Sequence, residues 1–203
     1  MSSARREILA RIRSAPRVPP RTVPRDYDTV RAVADPVGLF VERVEHYKAV
    51  VHRVVAGELP RTIGECLRRR GVDSVVAPPD LPEPWRVDGV RWLLDEPPLD
   101  LSVVDGVDGV VTGAAVGIAE TGTIVLDAGA AQGRRLLTLV PDYHLCVVRA
   151  EAIAVSVPEA LRQLDPTRPL TFVSGPSATS DIELDRVEGV HGPRTLEVLV
   201  VDA

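Results

Sequence analysis

The chain alternates helical stretches with short valine-rich runs closed by glycine, proline or aspartate. "DSVVAP", "HLCVV", "LTFVSG" and "TLEVLVV" are too short for buried helices and rich in β-branched residues, and "GVVTGAAVGIAETGTIVLDAG" is a series of short apolar runs punctuated by glycine. Near-continuous apolar strands among helices mark a sheet buried on both faces, hence the α/β class. Aromatics make up only 3% of the 203 residues, so Val, Leu, Ile and Ala must fill the core, and the 45% hydrophobic share is enough for one sizeable domain.

Ahead of this region the organisation differs. Ser3 to Arg13 reads as a helix with Ile8, Leu9 and Ile12 on one face and arginines on the other. "SAPRVPPRTVPRDYD" holds four prolines, which exclude helix and favour a linker or a strap across another surface. The expected division is therefore 1–34, an N-terminal helix with a proline-rich linker, and 35–203, a single α/β domain. In "ADPVGLFVERVEHYKAVVHRV", Asp35 suits the N-cap and Pro36 the first helical position. Leu39, Phe40, Val44, Tyr47, Val50, Val51 and Val54 form an apolar stripe, so one helix is expected as far as Gly57, with His46 and His52 solvated. A shorter helix, "RTIGECLRRRGV", closes at Gly71. "VRWLLDE" reads as a strand or a short helix, "LSVVDG" as a strand, and "GIAETGTIVL" as two strands joined at "ETG" or one bent strand.

A net charge of −5 argues against a nucleic-acid binder, whose footprint is a basic face. Cys66 and Cys146 stand far apart and outside any CxxC pattern, as in a protein of the reducing cytoplasm. Two thiols cannot supply the four thiolates of an ordinary iron–sulfur cluster, so no cofactor is expected in this chain. HxH, HxxxH, CxxC, GxGxxG and GxxxxGK[ST] spacings are absent, so neither a metal nor a nucleotide site is expected. No apolar run is long enough for a bilayer, and the N-terminus shows no secretory h-region.

Three polar clusters border apolar strands: "AETGT" (Ala119 to Thr123), "SGPSATSDIE" (Ser174 to Glu183) and "GVHGP" (Gly189 to Pro193). Glu120 could serve as base, nucleophile or hydroxyl-holding carboxylate, or only accept N–H bonds in a turn. In the second cluster Ser177, Thr179 and Ser180 could donate hydroxyls beside an N–H nest, or Ser180 and Glu183 could form a capping box. His191 could titrate near neutrality or lock its loop. Taken as a site, Glu120 and His191 are the catalytic candidates. Thr121, Gly122, Thr123, Ser174, Gly175, Ser177, Thr179, Asp181, Glu183 and Gly192 would line a place for a small anion.

In this order, "GIAETGTIVL", "RRLLTLVPDYHLCVV", "SGPSATSDIE" and "GVHGPRTLEVLVV" resemble the LUD-domain family, the lactate-utilisation protein C group. The resemblance runs from about Val107 to the C-terminus. It implies a fold similar to the NagB/RpiA/CoA-transferase-like sheet flanked by helices. It also implies a part in oxidising L-lactate to pyruvate beside iron–sulfur proteins, which would carry the electrons. One departure stands out. The family commonly reads "GPSRTADIE", and here Ala178 replaces the arginine and Ser180 an alanine. The lost guanidinium is a natural bidentate partner for a carboxylate, and Arg134, Arg135 and Arg194 are the candidates to replace it.

Three functions follow as expectations: an accessory or ligand-binding subunit of a lactate-oxidising system; an enzyme on a small carboxylate, sugar phosphate or acyl-CoA; or an interaction protein working through its N-terminal helix and strap. A homodimer is the default among soluble oligomers.

Overall fold

A computed structural model describes residues 3–15, 22–24, 26–175 and 192–202. Six parallel strands form the central sheet, in the order β1 (Val50–Val55), β10 (Thr195–Asp202), β7 (Tyr143–Arg149), β4 (Gly109–Gly113), β2 (Ser74–Ala77) and β3 (Arg91–Leu94). A second sheet orders β8 (Ile153–Ala154), β5 (Val116–Ile118), β6 (Thr123–Leu126) and β9 (Thr171–Val173). The expected α/β class, with its sheet flanked by helices, is the one found.

Both faces of the central sheet are covered, as the valine runs require. On one face, α3 (Leu59–Arg69) buries Leu59, Ile63, Cys66 and Leu67 against Val75, Val111, Leu145 and Leu199. On the other, α2 (Pro36–His46) and the second sheet bury Phe40, Val44, Ile124 and Leu126 against Cys146, Val148, Val198 and Val200. Alternate residues of β7 and β10 thus serve opposite layers, the period-2 rule read from buried strands. A further layer, α5 (Val157–Gln163), packs Ala160 on Val116, Ile118 and Val125 of the second sheet.

Local signals hold at several ends. Asp35 accepts the Gly38 N–H at 2.8 Å with Pro36 in the first turn, and α3 gives way at Gly71 with φ +66°. Three expectations fail. The helix expected to continue to Gly57 ends at His46, Lys48 turns left-handed at φ 64°, and Val50–Val55 becomes β1. A valine-rich run satisfies strand and helix patterns alike, and pairing along β10 decides for the strand. His52 is consequently not solvated as expected, but bonded at 2.7 Å to the buried Glu197. "LSVVDG", expected as a strand, holds the short helix α4 (Leu101–Asp105), in which Val104 alone is buried.

β7 also carries a buried imidazole. His144 Nε2 lies 2.7 Å from Thr112 Oγ1, and burial pushes its pKa down from 6.5 to about 4. Between those values the unfolded chain binds a proton that the folded chain refuses, so stability falls as pH drops through this window. The His144→Gln variant should show a flatter stability–pH profile between pH 6.5 and 4, measured by urea unfolding. An unchanged slope would remove His144 as its source.

Among the described residues, no helix is long and apolar enough to cross a membrane.

Candidate functional site

The β5–β6 hairpin carries the first polar cluster at its tip. The Ala119 and Glu120 N–H groups donate to the carbonyls of Ala154 and Val155, at 2.9 and 3.0 Å, fixing the tip to the end of β8 and the residue after it. Gly122 turns it at φ +60°, and an added Cβ would lie 2.7 Å from the Arg43 backbone. At the end of β9, Gly175 has φ +79°, and its Cβ would meet the Tyr47 Cβ at 2.5 Å. Only glycine combines such φ values with such close approach, so both loops press on the C-terminal end of α2.

This placement joins two of the predicted clusters. Thr121 Oγ1 lies 2.7 Å from Thr123 Oγ1, which lies 2.8 Å from Ser174 Oγ. The result is a ladder of three hydroxyls, with Thr123 buried at its centre. Each hydroxyl can donate or accept, so the ladder can turn its protons toward a ligand oxygen. Beside it, Glu120 pairs with Arg31, from the segment ahead of α2, both side chains partly exposed. Such a pair contributes at most about 1 kcal/mol to stability. Both groups therefore remain exchangeable with a ligand's own charges.

Arg31 was invisible as a site residue in the sequence, where it stands 89 positions from Glu120. Just past the proline-rich stretch the chain touches the domain: Arg162 donates to the Thr29 carbonyl at 2.7 Å, two residues before Arg31. Of the arginines weighed as replacements at position 178, Arg134 is engaged elsewhere. It grips Asp95 at 2.6 and 2.9 Å and also donates to the Leu99 carbonyl. Burial alone would raise the Asp95 pKa, but the Arg134 and Leu99 hydrogen bonds hold it below the usual carboxylate range. Arg194 lies 3.5 Å from Asp142, both exposed. Arg135 is exposed.

A second built loop, "DAGAAQGR", was also missed. Ala128, Ala131 and Gly133 all take positive φ, at 54°, 58° and 67°. Asp127 organises the turn by accepting from Arg168 at 2.7 Å and from the Gly129 N–H at 3.0 Å. Its own N–H donates to Gln132 Oε1 at 2.6 Å. Alanine carries no turn signal, so only the Gly-rich spacing hinted at it.

Of the remaining predicted residues, Gly192 leads into β10. Ser177, Thr179, Asp181, Glu183 and His191 lie outside the described residues, as do Ala178 and Ser180.

A parallel α/β sheet bearing a second sheet, with a hydroxyl-lined hairpin against a helix end, defines the structural class. A family model described as "LUD domain" matches residues 103–201. A lactate utilization protein C of Deinococcus radiodurans is 49% identical over 166 residues, covering 80% of this chain and 77% of that one. The lactate utilization protein C of Shouchella clausii is 28% identical, with 74% and 72% covered. A crystal structure of a DUF162-family protein from Deinococcus radiodurans superposes with a TM-score of 0.72 at 42% identity, covering 83% of this chain and 97% of that one. The chain belongs to the LUD-domain family.

Proposed function

We propose that this chain is an accessory, ligand-binding subunit of a cytoplasmic system that oxidises L-lactate to pyruvate, with iron–sulfur partner proteins carrying the electrons. The observation that supports it best is the meeting of two family loops through Thr123 and Ser174, beside the Arg31–Glu120 pair. The names of the relatives point the same way. A small 2-hydroxy acid suits these groups. Its carboxylate matches the Arg31 guanidinium and its hydroxyl matches either Glu120 or the ladder.

Deleting the gene should abolish growth on L-lactate while leaving growth on pyruvate intact, and the wild-type gene should restore it. Normal growth on L-lactate, in a strain without a redundant lactate route, would sink the proposal. A stand-alone enzyme is the second reading, favoured by the partly exposed Glu120 carboxylate on a backbone held in place by Val155. Should the purified protein turn over a small carboxylate, Glu120→Gln should cost about 100-fold or more in kcat. Unchanged turnover would take Glu120 out of the chemistry.

A further inference from the structure

A second constellation lies on the opposite face of the central sheet, under α3. His52 of β1, Cys66 of α3 and Glu197 of β10 bring Nε2, Sγ and a carboxylate oxygen within 4.8 Å of one another. Glu197 and Cys66 are buried and His52 is partly exposed. A single guanidinium nitrogen sits among the three donors. Arg69 Nη2 lies 3.0 Å from Glu197 Oε1, 3.3 Å from Cys66 Sγ and 3.4 Å from His52 Nε2.

We propose that His52, Cys66 and Glu197 form a zinc site with a fourth, solvent-facing coordination position, and that the Arg69 guanidinium holds the place of the metal when none is bound. The donors decide the metal class. One thiolate, one imidazole and one carboxylate suit tetrahedral zinc, and three protein ligands leave one position for water or another small ligand. The geometry needs only small movements. Tetrahedral ligands at ordinary zinc distances stand roughly 3.3–3.6 Å apart; the His52–Glu197 contact opens from 2.7 Å to reach that, while the wider separations, all within 4.8 Å, close onto the ion.

The charges balance. Zinc brings two positive charges, while Arg69 swings out with one and the Cys66 thiol releases one proton. Arg69 has 58% of its side chain exposed, so its exit to water is short. The partners that orient the carboxylate stay in place. Glu197 Oε2 keeps Arg70 at 3.1 Å and the Tyr143 hydroxyl at 3.0 Å, the outer contacts that fix a metal-bound carboxylate. The motif spacings that excluded a metal from the sequence do not apply to ligands drawn from three separate elements. The inference stands independently of the lactate proposal.

The test uses the full chain after chelator treatment, titrated with Co2+ as a spectroscopic probe and with Zn2+ against a chromophoric chelator. One equivalent of Co2+ should give tetrahedral visible bands and a thiolate-to-cobalt charge-transfer band. Cys66→Ser and His52→Ala each remove a direct ligand and should weaken Zn2+ binding by at least the roughly 100-fold that loss of an outer contact can cost. Release of one proton should make binding tighten by about tenfold per pH unit. Arg69→Ala alters an exposed side chain and should tighten binding by about tenfold, since the competing cation is gone. Absence of the charge-transfer band would overturn the proposal. So would Zn2+ affinity that is indifferent to Cys66→Ser, or that is weakened by Arg69→Ala.

Discussion

Replacing Phe40 with alanine should lower the thermal midpoint by roughly 6–20 °C. A buried phenylalanine cut to alanine costs about 3–5 kcal/mol, and each kcal/mol moves the midpoint of a chain this size by about 2–4 °C. The large end of the range is expected here. The chain has 2 phenylalanines, and Phe172 is 47% exposed, so Phe40, at 0%, is the one in the core. It sits where α2, the second sheet and the central sheet meet. A Cβ on Gly117 of β5 would stand 3.1 Å from its ring. Gly117 has no side chain to swing into the void. Phe40→Leu, which keeps most of the volume, should lose much less. Differential scanning calorimetry of both variants checks this, and equal midpoints for Phe40→Ala and wild type would refute the packing argument. The same loss should loosen the hairpin tip, since Gly122 rests on the same helix at Arg43.

Glu197→Ala should be the second large effect, about 2–4 kcal/mol in the metal-free protein, or roughly 4–16 °C. Glu197 is fully buried in β10 and accepts from the side chains of His52, Arg69, Arg70 and Tyr143 among others. Burial alone would raise its pKa, but hydrogen bonds from His52, Cys66, Arg70 and Tyr143 hold it below the usual range, so it remains ionised. Its charge acts back on its neighbours. Burial first and Glu197 second push the Cys66 thiol up to about 12 and the Tyr143 phenol higher still. Removing the carboxylate strands the buried Tyr143 hydroxyl and leaves a hole between β10 and α3. Arg69 and Arg70 both reach water and can turn outward, which keeps the cost below that of a fully enclosed ion pair. Glu197→Gln keeps the shape and part of the hydrogen bonding, so about half the loss is expected. A midpoint unchanged in Glu197→Ala would show that the cluster contributes nothing to stability.

The sequence by itself determined the elements whose cause is local. Asp35 and Pro36 start α2 because a side-chain acceptor and a fixed φ act within one turn. Gly71 ends the third helix and Gly122 turns the hairpin because both positions take positive φ. "TLEVLVV" and "HLCVV" became central strands because valine runs need two covered faces. The four ordered motifs also fixed the family, since they carry that information in linear order.

The tertiary structure alone decided what depends on a distant partner. Val50–Val55 fits either period, and β10 made it a strand. "LSVVDG" carries apolar residues in a row, yet Leu101–Asp105 is helical with Val104 alone buried. His52 read as a solvated histidine because its partner, Glu197, is 145 positions away. Arg31 read as a charge in a linker because nothing in its neighbourhood names Glu120. Periodicity reports which face of an element is apolar, and capping residues report where it stops. Which charge meets which is set by how the layers stack, and that stacking brought together both the hydroxyl ladder and the His52–Cys66–Glu197 cluster.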